Sequence, residues 1–421
     1  MRIAFVPHPF SYHIPPHLGD SVAILTYETA RCLARDHEVL IYNRGQRRFW
    51  KRPSSYNGIR YRYVWLTPDQ WVQQLFGPLL QRFQPKQNPS VASWYYSLYA
   101  LQVALDLQRQ QCDIVHIHTY SQMVPIIRAL NPAIKIVLHM HCEWLTQSDD
   151  AMMAERLRQT DLIIGCSRHI TGKIQQRFPE LAARCRTVYN GVDSDQFAPP
   201  PASSPATAVD HPPTLLFVGR VSPEKGVHVL LDAFREVVRQ FPEARLELAG
   251  GIGALGFNAI VGVSDDPYVL KLAEFYQGDG DYYRQLKARI PTNLAAQVIF
   301  HGYVPHDQLI DFYRRADVLI NPSLSEAFGM SLVESMATET PVIGARIGGM
   351  LDVIADGETG FLVEPANPDA LAAAIITLLS QPSLRQQMGQ RGRQRVLEQF
   401  SWPQIADSLL VHYRDLAGSS A

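Results

Sequence analysis

The stretch Asn321-Pro-Ser-Leu-Ser-Glu-Ala-Phe-Gly-Met-Ser-Leu-Val-Glu334 decides how the rest of the chain is read. The apolar run 317–321 before it reads as a buried strand. A Pro-Ser turn follows, then a loop holding Glu326, then Gly329 at the mouth of a helix, 330–337, that carries Glu334. Helix N-terminal amides and the positive end of the helix dipole accept an anion such as a diphosphate. Gly329 permits close backbone approach, and each carboxylate can accept two neighbouring hydroxyls. Glu326 and Glu334 are therefore expected at opposite ends of a ligand with a charged middle. Without context, the same pair reads as a capping acid and a solvated helical glutamate.

The context is Val218-Gly-Arg-Val-Ser-Pro-Glu-Lys-Gly226. It sets Arg220 at the carboxyl end of a strand, 214–219, and Lys225 just before a helix, 226–241. A bidentate guanidinium and a point-charge ammonium suit a diphosphate leaving group. Seen alone, this too would be a surface charge pair.

Outward from these motifs, short β-branched runs alternate with amphipathic stretches, as in βαβ units with parallel sheets. In the first half the strands are expected at 2–7, 38–42, 113–118, 135–141, 162–167 and 187–189. The clearest helix is 21–35, with Ala23, Ala30 and Leu33 turned inward. A Pro- and Ala-rich break at 198–213 cannot continue a helix or an interior strand. The pattern then restarts with strands at 245–249, 297–300 and 341–343 and helices at 306–316 and 369–379. Two tail helices are expected at about 383–398 and 403–416.

The fold class implied is α/β: two Rossmann-like domains facing across a cleft, with ligands outside the carboxyl ends of the strands. The expected boundaries are 1–197, a linker 198–213, 214–400, and a C-terminal helix 401–421 crossing back to the N-terminal domain. The segment 251–285 reads as an insertion without an assigned role, with a helical stretch at 268–276.

Composition narrows the function classes. The chain has 421 residues, 39 Lys+Arg against 40 Asp+Glu, and a formal charge of -1. That balance excludes a broadly basic nucleic-acid binder. At 46% hydrophobic and 19% charged it is a globular composition, and no apolar run is long enough for a membrane span. The N-terminus turns polar too soon for a signal peptide. Five dispersed cysteines suggest neither a disulfide framework nor a CxxC zinc site, so buried free thiols and a cytoplasmic location are expected.

The ordered set Gly-Arg-x4-Lys-Gly, Pro-Ser-x2-Glu-x7-Glu, Pro341-Val-Ile and Thr359-Gly-Phe-Leu-Val resembles the retaining GT-B glycosyltransferases of family 4 (glycosyl transferases group 1). Asn190-Gly-Val-Asp193 and Phe400-Ser-Trp402 fit the same pattern. The similarity is strongest over 187–363. It implies a hexosyltransferase using a nucleotide-diphosphate sugar as co-substrate, with UDP-glucose the first choice, and needing no cofactor or metal. By this resemblance Arg220 and Lys225 hold the diphosphate, Glu326 the sugar hydroxyls and Glu334 the ribose. Gly19, Phe328, Gly329, Met330, Ser331 and Leu332 complete the donor site, and His118, His141 and Arg168 meet the acceptor. The catalytic set is Arg220, Lys225, Glu326 and His141. Two departures stand out: His17-Leu-Gly19-Asp-Ser21 replaces the family's glycine-rich turn, and Glu339 stands where the family has glycine, at a helix end.

Other signals carry alternatives. His116 and His118 share one face of a strand, and His139 and His141 one face of the next. Sugar contact, a structural role and a metal site are the three readings. The DxD patterns Asp193-Ser-Asp195 and Asp279-Gly-Asp281 read as turn chemistry. From Asn43 to Trp65 there are seven Lys/Arg and no acid, interleaved with aromatics. A solvated loop and twisted hairpin, an anionic sugar-phosphate acceptor, and peripheral contact with anionic lipid headgroups all suit it. Nucleic acid is not expected as a partner.

The acceptor is expected to be a sugar phosphate, as for sucrose-phosphate synthases, or else a lipid-linked or cell-envelope polysaccharide. A UDP-sugar 2-epimerase and a non-catalytic nucleotide-sugar sensor are the rivals outside the transferases. A dinucleotide dehydrogenase is disfavoured because no GxGxxG follows the first strand.

Overall fold

The computed structural model describes residues 1–418 apart from 10–12, 16, 19, 46–53, 84–90, 201–210, 254 and 278–280. Chain contacts divide it into two units, Met1–Asn190 with Trp402–Ala421, and Gly191–Ser401. The sequence boundaries of 197 and 400 differ little. Gly191–Phe197 goes with the second unit because Val192 N–H bonds Phe400 C=O at 2.8 Å and Phe197 is fully buried there beside Tyr313.

The first unit is built on an eight-stranded sheet. Arg2–Val6 lies between Glu38–Gly45 on one side and Ile114–His118 on the other, parallel to both. Beyond Ile114–His118 come Lys135–Met140, Leu162–Gly165 and Cys185–Thr187, all parallel. Ile3, Ala4, Phe5 and Val6 are all buried, which is why these strands read as unbroken apolar runs. The helix Ser21–Leu33 is started by the Asp20 carboxylate, which accepts from Ala23 N–H at 2.9 Å, and it buries Ala23, Ala30 and Leu33.

Three features differ from expectation. Ile59–Trp65 is a parallel strand beside Glu38–Gly45, and only its start pairs antiparallel with Ser55–Tyr56. Two of its arginines are neutralised from elsewhere: Arg60 reaches Glu38 at 3.0 Å and Arg62 reaches Asp106 at 2.6 Å. The cations at 47, 48, 51 and 52 lie outside the described residues. Two helices the pattern did not show, Thr67–Phe83 and Ser97–Gln110, follow. All five cysteines are free, but only Cys166 and Cys185 are buried; Cys32, Cys112 and Cys142 are half-buried.

The second unit has a six-stranded parallel sheet in the order Val298–Gly302, Arg245–Ala249, Thr214–Val218, Val318–Asn321, Val342–Ala345, Gly360–Val363. Strand order reverses between Thr214–Val218 and Val318–Asn321, the place where α/β sheets open a crevice at their carboxyl ends. The 251–285 segment holds the short helices Phe257–Ile260, Pro267–Lys271 and Leu272–Tyr276. Its Asp281 caps the next helix through Arg284 N–H, and Asp193 accepts from the N–H groups of Asp195 and Gln196. Both are turn or cap chemistry; Asp279 lies outside the described residues. Pro382–Gln399 packs on Met330–Ala337, and Glu339 ends the latter at φ 64°, the left-handed conformation in which the family places glycine. Trp402–Gly418 then packs on the first unit against Ser21–Leu33.

Asp69 ties the two unforeseen helices together. Its carboxylate is 2% exposed and accepts from Leu98 N–H at 3.0 Å. Burial pushes this carboxyl up to about 6, although the Leu98 and Tyr99 N–H groups pull the other way. A raised folded-state value contributes stability that is complete below the ordinary range and lost as pH rises through about 6. Asp69→Asn keeps an acceptor oxygen without the charge. It is expected to raise stability at pH 8 by about 2 kcal/mol and to change little at pH 3.5, as read by urea melts.

Candidate functional site

Two loops meet at the strand-order reversal of the second unit. Gly226 sits at φ 68°, and a Cβ there would lie 2.1 Å from Pro322 C=O, so only glycine lets the loops touch. The contact brings Lys225 Nζ to 2.8 Å from Glu326 Oε2. Asn321 Nδ2 and Ser323 Oγ each stand 3.5 Å from the same oxygen, and Ser323 Oγ donates to Asn321 Oδ1 at 2.6 Å. Burial pushes the Glu326 carboxyl up. Lys225, the Asn321 amide and the Phe328 N–H outweigh it and hold the group below its ordinary range. It is therefore an anion at neutral pH, held as an acceptor.

Arg220 donates through Nε to Ser222 Oγ at 3.2 Å and through Nη2 to Glu224 Oε1 at 2.7 Å; Ser222 Oγ donates to the same oxygen at 2.6 Å. Glu224 is buried and its Oε2 has no hydrogen-bond partner. A guanidinium has five N–H donors and an ammonium three, so both cations keep donors for a further anion.

Gly329, at φ 102°, caps Met330–Ala337 without a side-chain acceptor, and no acid occupies the first turn. The N-terminal amides of this helix are thus left to backbone or ligand partners. Gly349 N–H bonds Glu326 C=O at 3.0 Å and steadies the loop from behind. Glu334 is buried and not solvated: Tyr313 Oη donates to Oε2 at 2.6 Å and His306 Nε2 stands 2.8 Å from Oε1. Each oxygen can still accept a second bond.

In the first unit, strand alternation stacks four imidazoles. His118 is in register with His139. His116 Nε2 lies 3.2 Å from His139 Nδ1, and His118 Nδ1 lies 2.9 Å from His141 Nε2. Phe5 stacks on His118, and Tyr413 Oη from the last helix meets His116 Nδ1 at 2.6 Å. Burial drives His116 down to about 3 and holds His139 and His141 well below the usual imidazole range. These three are neutral hydrogen-bonding groups, not cations, at physiological pH. Nitrogens of His116, His118 and His139 lie within 4.8 Å of one another, but the rings already engage each other.

A family model described as "Glycosyl transferases group 1" matches residues 203–395, and one described as "Glycosyltransferase Family 4" matches 22–196. "D-inositol 3-phosphate glycosyltransferase 2" of Catenulispora acidiphila is 30% identical over 311 residues, 70% of this chain and 68% of the relative. This chain is a group 1 glycosyltransferase. Sucrose-phosphate synthase from Thermosynechococcus elongatus superposes with a TM-score of 0.69 at 22% identity, covering 99% of each chain. HepE from Anabaena in complex with UDP-glucose does so at 0.65 and 18%, covering 100% of each. The fold of the glycosyltransferase is GT-B.

Of the residues singled out from sequence, the structure gathers Arg220, Lys225, Glu326, Phe328, Gly329, Met330, Ser331, Leu332 and Glu334 around the reversal point of one sheet. His118 and His141 form a pair in the other unit. Arg168 is exposed at the first turn of Arg168–Arg177. Gly19 lies outside the described residues.

Sequence reasoning passed over Ser222, Glu224, His306, Tyr313 and Tyr413, which hold the named groups in place. Ser222 and Glu224 sit inside the quoted Arg220–Lys225 motif and were legible. Tyr313 and His306, 21 and 28 residues from Glu334, carried no local signal.

Lys225→Met would leave Glu326 charged and largely buried. The expected loss is about 2–4 kcal/mol at pH 7. Because the folded-state carboxyl lies below its ordinary range, the pair's contribution is present above that range and lost as pH falls through the lower value. The difference between variant and wild type therefore shrinks in acid, as denaturation at pH 7 and pH 3.5 would show.

Proposed function

We propose that the glycosyltransferase moves a hexose, glucose from UDP-glucose before others, to a hydroxyl of a phosphorylated sugar or cyclitol, with retention at the anomeric carbon. The observation that carries this is the convergence of Arg220, Lys225, Glu326 and an uncapped helix N-terminus at one sheet reversal. The relatives lend support: HepE was solved with UDP-glucose, and the Catenulispora and Thermosynechococcus enzymes are named for phosphorylated products or acceptors.

In the proposed reaction the bond from the anomeric carbon to the β-phosphate oxygen breaks, and the acceptor oxygen bonds to the same face of that carbon. The acceptor proton goes to the departing phosphate oxygen. No carboxylate acts as nucleophile. Arg220, Lys225 and the Met330–Ala337 amides take up the charge that develops on the diphosphate. Glu326 accepts from hexose hydroxyls and Glu334 from the ribose, fixing the donor between them. His118 and the neutral His141 serve as hydrogen-bonding partners to sugar hydroxyls. Charge is carried by these cations, so turnover is expected to survive chelation.

The test measures UDP release from UDP-glucose against phosphorylated hexoses and inositols, with and without EDTA, and reads the product anomer by NMR. Arg220→Ala or Lys225→Ala should each lower kcat by about a hundredfold or more. Unchanged turnover at saturating donor would remove the assigned roles. Conversion of donor with no acceptor present would mark an epimerase, and binding without UDP release a sensor.

A further inference from the structure

The helix Asp150–Arg158 carries a cation that the fold takes out of water without giving it an acid. Arg156 is 3% exposed. Its Nη1 donates to Val91 C=O at 2.9 Å and to Ser121 Oγ at 3.2 Å, and its Nη2 to Ser93 Oγ at 2.9 Å and Met152 Sδ at 3.2 Å. All four partners are neutral. Arg62 and Arg128 of the same unit reach Asp106 and Asp161, but among the described residues no carboxylate pairs with Arg156. Burial pushes its guanidinium down to about 10, against which only the exposed Glu155 acts, so it is a cation at neutral pH. A buried charge balanced by neutral dipoles alone is costly, and an anion brought up to it recovers part of that cost.

Two serines set this charge at the carboxyl end of the first unit's sheet. Ser121 lies three residues past His118, the last residue of Ile114–His118. Between them Thr119 holds φ 64°, a left-handed conformation that is strained for a β-branched residue. Tyr120 then lies parallel to Tyr95 with ring centroids 6.4 Å apart and meets Trp144 edge-on at 6.0 Å. The turn 91–96 is thus fastened to the strand end by rings and by Arg156. Ser121 turns its hydroxyl inward, to Met153 Sδ at 3.6 Å. Ser93 is exposed. Its oxygen accepts from the buried guanidinium, and its O–H, polarised by that bond, is left to donate outward.

We infer that Ser93 receives the phosphate of the acceptor and that Arg156, behind it, supplies the opposing charge. The inference rests on the phosphorylated acceptor of the proposed function and adds where its phosphate is held. The Ser93 hydroxyl donates to a phosphate oxygen. The guanidinium stays on the serine oxygen at 2.9 Å and acts through it, in surroundings poor in water where charges are felt strongly. Arg156 is therefore a positioning residue, and His118 and His141 remain for the ring hydroxyls. Arg168, an exposed cation at the start of the next helix, is the rival anchor, but it offers phosphate only the screened charge of a surface side chain.

The purified full chain, saturated with UDP, is titrated with glucose 6-phosphate, fructose 6-phosphate and inositol 3-phosphate, each beside its dephosphorylated form. Binding is read by tryptophan fluorescence. For at least one pair, wild type should bind the phosphorylated form at least about tenfold more tightly. Ser93→Asp gives Arg156 a carboxylate from within the chain. It should raise Tm and erase the preference for phosphate, while UDP and the dephosphorylated sugar bind as to wild type. Ser93→Ala should cut the preference by about threefold to tenfold. A serine with a purely structural role would shift both members of a pair alike. Full preference retained by Ser93→Asp would overturn the inference alone, and loss of that preference in Arg168→Ala would then place the phosphate at Arg168. Equal binding of both forms by wild type in every pair would overturn the phosphorylated acceptor and this inference with it.

Discussion

The second unit is organised around a carboxylate that is mostly out of water. Glu326 stays ionised there chiefly because Lys225, from a loop 101 residues earlier, sits 2.8 Å away. An ionised acid in that position without a partner would cost several kcal/mol. The pair demands that two loops following adjacent, non-consecutive strands touch, and Gly226 against Pro322 makes the contact possible. Once Glu326 is fixed, Gly349 closes on its carbonyl and the helix beginning at Met330 has one place to start. These groups stand together because their contacts with one another hold the two loops and the helix start in place.

The first unit uses the opposite electrostatic strategy. His116, His118 and His139 are buried among one another and Phe5, with His141 half-buried beside them, and desolvation keeps His116, His139 and His141 neutral. Tyr413 supplies one end of this hydrogen-bonded row, so the last helix contributes a polar anchor as well as apolar surface. If Tyr413 donates to His116 Nδ1, then His116 Nε2 carries the proton toward His139. The tautomers are thereby coupled across two strands. Neutral imidazoles discriminate hydroxyls by direction, whereas the paired cations of the second unit answer to charge.

How much of this was legible depended on whether partners lie close in sequence. The Asn321–Glu334 stretch was readable because strand, turn, loop and helix start are contiguous, and Gly-Arg-x4-Lys-Gly for the same reason. Parallel strands buried on both faces announced themselves as apolar runs. The stretch from 43 to 65 read as a loop and hairpin because the partners of its strand lie elsewhere in the chain. Asp106, which neutralises Arg62, comes 44 residues later on the helix Ser97–Gln110, and Ile59–Trp65 is a sheet strand whose arginines alternate with buried Ile59 and Tyr61. The helix Thr67–Phe83 was hidden by Gly77 and Pro78 in its interior, which are locally helix-breaking, whereas Pro68 lies in the first turn, where proline is compatible with a helix. Glu334 was readable as a position but not as a buried group, since Tyr313 and His306 approach from a different helical segment.

The pairing of the two cations also constrains how a diphosphate would be recognised. Arg220 with Glu224 and Lys225 with Glu326 sum to no net charge, so the site is not a basic patch that gathers anions at long range. An incoming diphosphate gains little from bulk attraction. It must use the remaining guanidinium and ammonium donors and the amides at Met330 in the directions they already point. Glu224, buried with one oxygen unpartnered, would repel a phosphate that strayed from the Arg220 side. Selection then rests on geometry more than on charge. A ligand with a diphosphate between two hydroxyl-bearing rings satisfies cations and carboxylates together, while inorganic phosphate or sulfate satisfies only the former. The near-neutral charge of the whole chain extends to this site, where each cation is paired with a carboxylate.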